Sequence, residues 1–168
     1  TELKRDILGV YNIPTESSCG WNYVCNDLKQ RGLEEVLMVV SDGLTGLNSV
    51  LKNQFPKATH QRCLVHKIRH LLLKVRHKDK SQFAHDFRYV FKLEDPLLKP
   101  CDIRRNCELF LDKWRPIYPW LSRKLHPDNV DDYTGYLAFP SKIHRMIYIT
   151  NWIERLNKCV KRTTKIRN

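Results

Sequence analysis

Apolar positions follow one pattern in the first third of the chain and another in the rest. The first third contains short apolar runs, and the run at 36–40 has no polar alternation, as in a strand buried on both faces. Strands are predicted at 7–11, 36–40 and 59–64, with helices at about 18–32 and 47–55 between them. This alternating order predicts an α/β sheet with parallel neighbouring strands.

From residue 65 to about 120 the apolar spacing is helical throughout. One stripe joins Phe83, Phe87 and Phe91, and a second leads from Ile103 to Trp114. Several prolines separate these helices. Residues 126–140 are predicted to form a loop with aromatic anchors, and 141–165 a further helix with a break near 150–151.

The charge of the chain indicates what kind of partner it binds, because its formal net charge is +12. Residues 45–80 contain nine Lys or Arg against one acid, and residues 133–168 contain eight against one. An excess of this size predicts an anionic partner, with nucleic acid first and a membrane surface second. The two basic segments are either parts of one surface or two separately solvated helices.

Six cysteines are present, and none forms a Cys-x-x-Cys pair. Their spacing therefore matches neither a zinc ribbon nor a thioredoxin-like site. The sequence has no signal peptide and no long apolar run, so a soluble, cytoplasmic protein with reduced thiols is expected. The chain opens on Thr1 without a methionine, which suggests a fragment.

Two carboxylates occupy positions where chemistry is plausible. Asp42 follows the buried strand at 36–40, and ligands of α/β sheets bind at the carboxyl ends of strands. Glu154 is the only acid after Tyr133. Each also has a structural explanation, since Asp42 suits a turn or helix cap and Glu154 suits ion pairs with Arg155, Lys158 or Arg162.

Four motifs in order decide between these readings. They are Val40-Ser41-Asp42-Gly43-Leu44-Thr45-Gly46, then Gln61-Arg62-Cys63-Leu64-Val65-His66, then Lys113-Trp114-Arg115-Pro116, and finally Thr150-Asn151-Trp152-Ile153-Glu154-Arg155-Leu156-Asn157. Together they resemble the Mutator family of transposases over nearly the whole chain. The resemblance implies an α/β fold with a ribonuclease-H-like core and a DDE active site that uses Mg²⁺ or Mn²⁺.

In this family comparison Asp42 matches the second catalytic carboxylate and Glu154 the third, and both are implied metal ligands. They are 112 residues apart. That separation agrees with the domain organisation expected from the periodicity: a first core part at 1–64, a helical insertion at 65–145 and a final core helix at 146–168.

The first carboxylate is where this sequence departs from the family pattern. Only 41 residues precede Asp42, and Asp6 is the one early acid on a predicted strand. Because Asp6 better fits the start of a later strand, the first Asp is expected to be missing together with its strand. The chain by itself is therefore expected to be inactive.

Other residues receive roles from the same resemblance. Cys63 and His66 either support the active site, belong to a zinc site or simply pack at a strand end, and Asn151 and Asn157 are further candidates for support. Trp114 is either a core aromatic or a stacking platform for an unpaired base. The candidate DNA-binding residues are Lys67, Arg69, Arg155, Lys158, Lys161, Arg162 and Lys165.

The expected function is Mg²⁺-dependent DNA strand cleavage and transfer during transposition of an insertion element. The expected partners are the element's terminal repeats and target DNA, with no membrane and with a homo-oligomer as the full-length form. A bacterial host would make the protein nucleoid-associated. The alternatives are a non-catalytic DNA-binding or regulatory remnant of a transposase and an unrelated basic RNA-binding protein.

Overall fold

A computed structural model describes residues 6–13, 17–92, 95, 97–147 and 162, except for the side chains of residues 145 and 146. Helices predominate in this part of the chain, together with one small sheet. The elements are α1 (Ser18–Gln30), β1 (Met38–Ser41), α2 (Leu47–Gln54), β2 (Thr59–Arg62), α3 (Leu64–Leu72), α4 (Lys80–Phe91), α5 (Pro100–Trp114) and α6 (Ser141–Ile147). Short 3-10 helices lie at His77–Asp79, Pro119–Arg123, Pro127–Tyr133 and Gly135–Ala138.

The sheet pairs β1 with β2. The Thr59 amide donates to the Leu37 carbonyl, and four residues later the Cys63 amide donates to the Ser41 carbonyl. Because both partners advance in the same direction by the same number of residues, the strands are parallel and in fixed register. The structure is compatible with the predicted α/β class, and the strands predicted at 36–40 and 59–64 are confirmed, with boundaries shifted by one or two residues.

The strand predicted at residues 7–11 is wrong, because the structure describes these residues as non-regular backbone. Ile7, Leu8 and Val10 are 59%, 50% and 69% exposed. An apolar run predicts a strand only where a neighbouring strand accepts its hydrogen bonds and covers its side chains, and among the described residues this segment has neither.

Contacts divide the chain into two compact units, Thr1–Val39 with Gly43–His60, and Val40–Asp42 with Gln61–Asn168. In the first unit, α1 and α2 pack around a small apolar core. Its buried members are Cys25, Leu47, Val50, Leu51 and Phe55.

Helix α1 begins at the predicted residue, ends two residues before the predicted boundary, and is capped at both ends. The Ser17 hydroxyl accepts a hydrogen bond from the Gly20 amide at 3.3 Å, which caps the first turn. At the other end Gly32 has a φ of 94°, its amide donates to the Lys29 carbonyl, and the Leu33 amide donates to the Leu28 carbonyl. This is the Schellman arrangement, in which glycine takes the left-handed position.

In the second unit, α4 and α5 pack through an aromatic core. Phe83 contacts Phe110 and Trp114 edge-on, with ring centroids 5.0 and 5.1 Å apart, and Trp114 stacks on Tyr118. The members of both predicted helical stripes are buried: Phe83, Phe87, Val90, Phe91, Ile103, Cys107, Phe110, Leu111 and Trp114. The helical spacing predicted between residue 65 and about residue 120 is thus confirmed.

Residues 126–140 are more regular than the predicted loop, because they contain two 3-10 helices. Their aromatic anchors are real: Tyr133 and Tyr136 are 5% and 0% exposed. Anchoring at short intervals draws the backbone into tight turns, which the spacing of apolar residues alone does not reveal. Within the described ranges, no helix combines the length and the apolar character needed to cross a membrane.

Candidate functional site

The loop that follows β1 is shaped by glycines. Gly43 and Gly46 have φ values of 93° and 77°, which side-chain-bearing residues rarely adopt. A Cβ at Gly46 would also lie 2.3 Å from the Ser18 hydroxyl oxygen. The glycines thus allow the chain to turn sharply after β1, and Asp42 stands at the carboxyl end of the strand with a side chain 40% exposed.

Cys63 links β2 to helix α3. Its amide donates to the Ser41 carbonyl at 2.7 Å, and its sulfur accepts from the His66 amide at 3.4 Å. The residue is 1% exposed and has an extended conformation, as an N-cap requires. Cys63 therefore fixes the start of α3 beside Ser41, the residue before Asp42.

His66 lies in the first turn of α3, and its Nδ1 is 4.0 Å from the Asp42 Oδ2 atom. The His66 side chain is 30% exposed. Its ring also meets that of His70 edge-on, with centroids 4.4 Å apart. The structure therefore brings His66 close to Asp42, with Cys63 at the start of the same helix.

Asp42 offers hard carboxylate oxygens that solvent can reach, which is the donor type that Mg²⁺ and Mn²⁺ prefer. Among the described residues, no group of three or more His, Cys, Asp or Glu could hold a metal ion. The remaining candidates, Glu154, Asn151 and Asn157, lie outside the described residues. Asp42 therefore fits a divalent cation as one ligand of a larger set.

Gln61 is a polar residue near this site that sequence reasoning does not single out. It lies on β2 and is 0% exposed, and its side-chain carbonyl oxygen accepts a hydrogen bond from the Tyr136 amide at 2.7 Å. The only sequence signal is that this glutamine lies within the strand predicted at 59–64.

The predicted DNA-binding residues differ in their surroundings. Lys67, on α3, donates to the Lys124 carbonyl, and its ammonium group lies 5.4 Å from the centre of the Tyr133 ring. Arg69 and Arg162 are exposed. Arg155, Lys158, Lys161 and Lys165 lie outside the described residues.

Trp114 is 4% exposed, and its indole nitrogen donates to Asp86 at 2.9 Å. Stacking on a base would require this ring to leave the aromatic core of α4 and α5. Partial burial raises the pKa of Asp86, but hydrogen bonds from Lys113, Gln82 and Trp114 outweigh it, so the pKa is lowered. The Asp86 carboxylate is thus a structural anchor for Trp114.

Two buried groups in the second unit, the Cys107 thiol and the Tyr136 hydroxyl, stay protonated at neutral pH. Burial, with a smaller contribution from Glu108, raises the pKa of Cys107 to about 12, so its thiol stays protonated at neutral pH. Burial also raises the pKa of Tyr136, whose hydroxyl donates to the Phe91 carbonyl at 3.1 Å. Neither group suits a nucleophile or a general base.

Comparison with known proteins agrees with the motif pattern. The family model "Transposase, Mutator family" matches residues 1–168. The transposase for insertion sequence element IS905 of Lactococcus lactis is 32% identical over 164 residues, which cover 98% of this chain and 40% of that protein. The transposase for insertion sequence element IS256 in transposon Tn4001 of Staphylococcus aureus is 31% identical over 162 residues, which cover 96% and 40%. The chain thus spans about 40% of the length of these curated relatives.

Proposed function

Because this chain belongs to the Mutator family of transposases, we propose that it supplies two of the three catalytic carboxylates of a DDE transposase. The activity would be divalent-metal-dependent cleavage and joining of DNA strands when an insertion element moves. The observation that carries the proposal is Asp42, an accessible carboxylate at the carboxyl end of a parallel strand with His66 beside it. This matches the position at which α/β sheets bind their ligands.

The architecture supports a ribonuclease-H-like core, which we propose for the parts of the chain before and after the helical insertion. The parallel strands β1 and β2 are joined in sequence by α2, the crossover that parallel pairing requires. Helices α3 to α5 then follow without a further described strand. This order agrees with a core interrupted by helices before Glu154.

In this proposal Asp42 and Glu154 hold the divalent cations, and the remaining carboxylate comes from elsewhere in the transposase. Two bound cations would stabilise the charge that develops on the attacking and leaving oxygens. His66 contacts DNA phosphate or helps to orient Asp42. The basic residues of 45–80 and 133–168 bind the sugar–phosphate backbone without reading sequence.

The test uses the protein translated from the complete reading frame that encodes this chain, with Mg²⁺ and DNA carrying the element's ends. Asp42→Asn and Glu154→Gln should each lower the cleavage rate by about a thousandfold or more, equivalent to about 4 kcal/mol of barrier. Asp112→Asn is the matched control, because its exposed carboxylate pairs only with Arg115 among the contacts described. It should retain the unaltered protein's rate.

Cleavage that survives both substitutions would refute the proposal. Tight, salt-dependent DNA binding with no cleavage by the unaltered protein would instead support a non-catalytic DNA-binding remnant. The two basic segments favour that second candidate independently of Asp42, because they need no metal to bind phosphate.

A further inference from the structure

Gln61 connects β2 to two elements that lie much further along the chain. Its side-chain carbonyl accepts from the Tyr136 amide at 2.7 Å, and its side-chain NH₂ group donates to the Ile147 carbonyl at 3.3 Å. These partners are main-chain groups 75 and 86 residues further along the chain. One buried amide of β2 thus holds both the 3-10 helix Gly135–Ala138 and the last residue of α6.

The elements held by Gln61 are also packed against each other. The rings of Tyr136 and His144 meet edge-on with centroids 5.0 Å apart, and the His144 Nε2 lies 2.7 Å from the Phe139 carbonyl oxygen. Tyr136 is 0% exposed, and its hydroxyl donates to the Phe91 carbonyl. Residues 135–147 therefore form a packed segment that is hydrogen-bonded to β2 through Gln61.

Gln61 is also two residues from the strand pairing that places Asp42. Cys63, which directly follows β2, donates its amide to the Ser41 carbonyl, next to Asp42. On the other side, the chain passes from Ile147 to Glu154 in seven residues. The amide thus lies on a short covalent and hydrogen-bonded path between the two proposed metal-binding carboxylates.

We propose that Gln61 is a positioning residue that sets the separation between the Asp42 end of β1 and the end of α6. It does so because a fully buried amide satisfies its donor and its acceptor only when both main-chain partners are in place. Because Gln61 is 0% exposed, it acts through the backbone that carries Asp42 and through α6, which leads to Glu154, rather than by direct contact with DNA. This inference rests on the proposed function, in which those carboxylates share a metal site.

The test compares Gln61→Met, which keeps a similar volume but removes both hydrogen bonds, with Val130→Ala. Val130 is 0% exposed and lies in the 3-10 helix Pro127–Tyr133, so its truncation destabilises the same unit without touching the amide. Both variants are made in the protein from the complete reading frame. Each is assayed at the same interval below its own melting temperature.

Two quantities are measured. Hydrogen exchange on the protein should show lost protection of the Tyr136 amide in Gln61→Met, while the amides of α5 stay as protected as in the unaltered protein. The Mg²⁺ concentration for half-maximal DNA cleavage should rise by about tenfold or more, as is typical when the support of a metal ligand is removed. Val130→Ala should leave that concentration within about twofold of normal.

Gln61→Glu keeps the test decisive if Gln61→Met does not fold. Burial raises the pKa of the new carboxyl, and its protonated form can accept from Tyr136 and donate to Ile147 as the amide does. Its Mg²⁺ requirement should therefore approach that of the unaltered protein as the pH is lowered from about 8.5 to about 6. The unaltered protein, measured at each pH, is the reference.

An equal Mg²⁺ requirement in Gln61→Met and Val130→Ala would overturn the inference and leave Gln61 a stabilising residue only. A pH-independent requirement in Gln61→Glu, measured relative to the unaltered protein, would do the same. Failure of the proposed function has a different signature, because the unaltered protein would then cleave no DNA or would cleave it without Asp42.

Discussion

The Nδ1 atom of His66 lies 4.0 Å from the Oδ2 atom of Asp42, although 24 residues separate them in the sequence. The contact arises because β2 pairs with β1 and because Cys63 then starts α3 beside the end of β1. At this distance the two atoms are too far apart for a direct hydrogen bond. His66 is instead placed to act on Asp42 electrostatically or to meet a group that Asp42 binds.

His66→Ala is expected to lower the rate of DNA cleavage by about 10- to 100-fold, the range typical of residues that support a metal ligand. His70→Ala is the matched control, because His70 is an exposed histidine one turn further along α3 that contacts His66 rather than Asp42. It should change the rate far less. Equal losses in the two variants, measured as single-turnover cleavage rates, would contradict a specific role of His66.

At two buried cysteines, Cys63 and Cys107, the Ser and Ala variants should rank oppositely in stability. Cys63 caps α3 through its sulfur, so Cys63→Ser keeps a hydrogen-bond acceptor that Cys63→Ala loses, and Ser should be the more stable variant by about 1 kcal/mol. Cys107, 0% exposed, lies inside α5 in an apolar environment. There Ala should be the more stable variant by about 1–2 kcal/mol, because a buried hydroxyl loses hydration.

Urea denaturation of the four variants measures this order directly. If the Ala variant were the more stable one at both positions, the sulfur of Cys63 would serve packing rather than capping. Because capping depends on the first turn of α3, loss of the cap should also loosen His66. Hydrogen exchange at the His66 amide, the donor to Cys63, gives an independent check.

The sequence predicts the helical part of the second unit well, for a simple physical reason. The spacing of Phe83, Phe87 and Phe91 is the helical repeat itself, so the pattern alone identifies the buried face. The prediction for residues 7–11 fails because a strand depends on partners elsewhere in the chain. A short apolar run has no local feature that identifies those partners.

The candidate site likewise contains residues that local sequence patterns predict and residues that they do not. Asp42 could be predicted because an apolar run followed by Asp-Gly is a local pattern, and His66 because the family motif contains it. Gln61 could not be predicted, since both of its partners are main-chain groups more than 70 residues away. The capping role of Cys63 also escapes sequence reasoning, because cysteine is not among the common N-cap residues.

Asp86 should stabilise the protein at neutral pH but not in acid. Its pKa in the folded state is lowered, so its stabilisation is complete above the ordinary Asp pKa of about 3.9 and is lost as the pH falls through the lower folded value. Asp86→Asn should therefore cost about 1–2 kcal/mol at about pH 7 and much less at about pH 2.5. Denaturant unfolding at both pH values measures the difference.

Asp112→Asn controls for the general effect of acid on this variant comparison. Asp112 is 67% exposed and pairs with Arg115 on the surface, so its substitution should change the unfolding free energy little at either pH. A cost of Asp86→Asn that stays constant between the two pH values would show that the Asp86 charge does not contribute.

DNA binding by the chain should depend strongly on salt and little on sequence. Neutralising about five phosphates gives a slope of about −4 to −5 for the logarithm of the binding constant against the logarithm of salt concentration on duplex DNA. Replacing Lys158, Lys161, Arg162 and Lys165 with Ala should make this slope clearly shallower. Fluorescence anisotropy across a salt series measures it.

A control with the same loss of charge removes Arg104, Arg105, Lys113 and Arg115, which belong to α5 or directly follow it. Three of these residues already pair with acids: Arg104 with Asp131, Lys113 with Asp86 and Arg115 with Asp112. If the phosphates contact the terminal basic segment specifically, the control variant should keep most of the slope. Equal losses would show that only the net charge matters.

Residues 1–168 alone should bind DNA without cleaving it. Asp42 and Glu154 can each offer oxygens to a cation, but the described residues before Asp42 supply no evident third ligand. Asp6, the candidate there, is exposed, and one of its carboxylate oxygens accepts from the Ile7 amide. Two cations at the spacing of about 3.5–4 Å used in two-metal sites repel each other strongly unless a carboxylate bridges them. Losing about 4 kcal/mol of transition-state stabilisation in this way slows the reaction about a thousandfold.

The assay gives the purified chain Mg²⁺ or Mn²⁺ and DNA with the element's ends. Cleavage that disappears in Asp42→Ala would contradict this prediction, and Asp6→Ala would then show whether Asp6 is the third carboxylate.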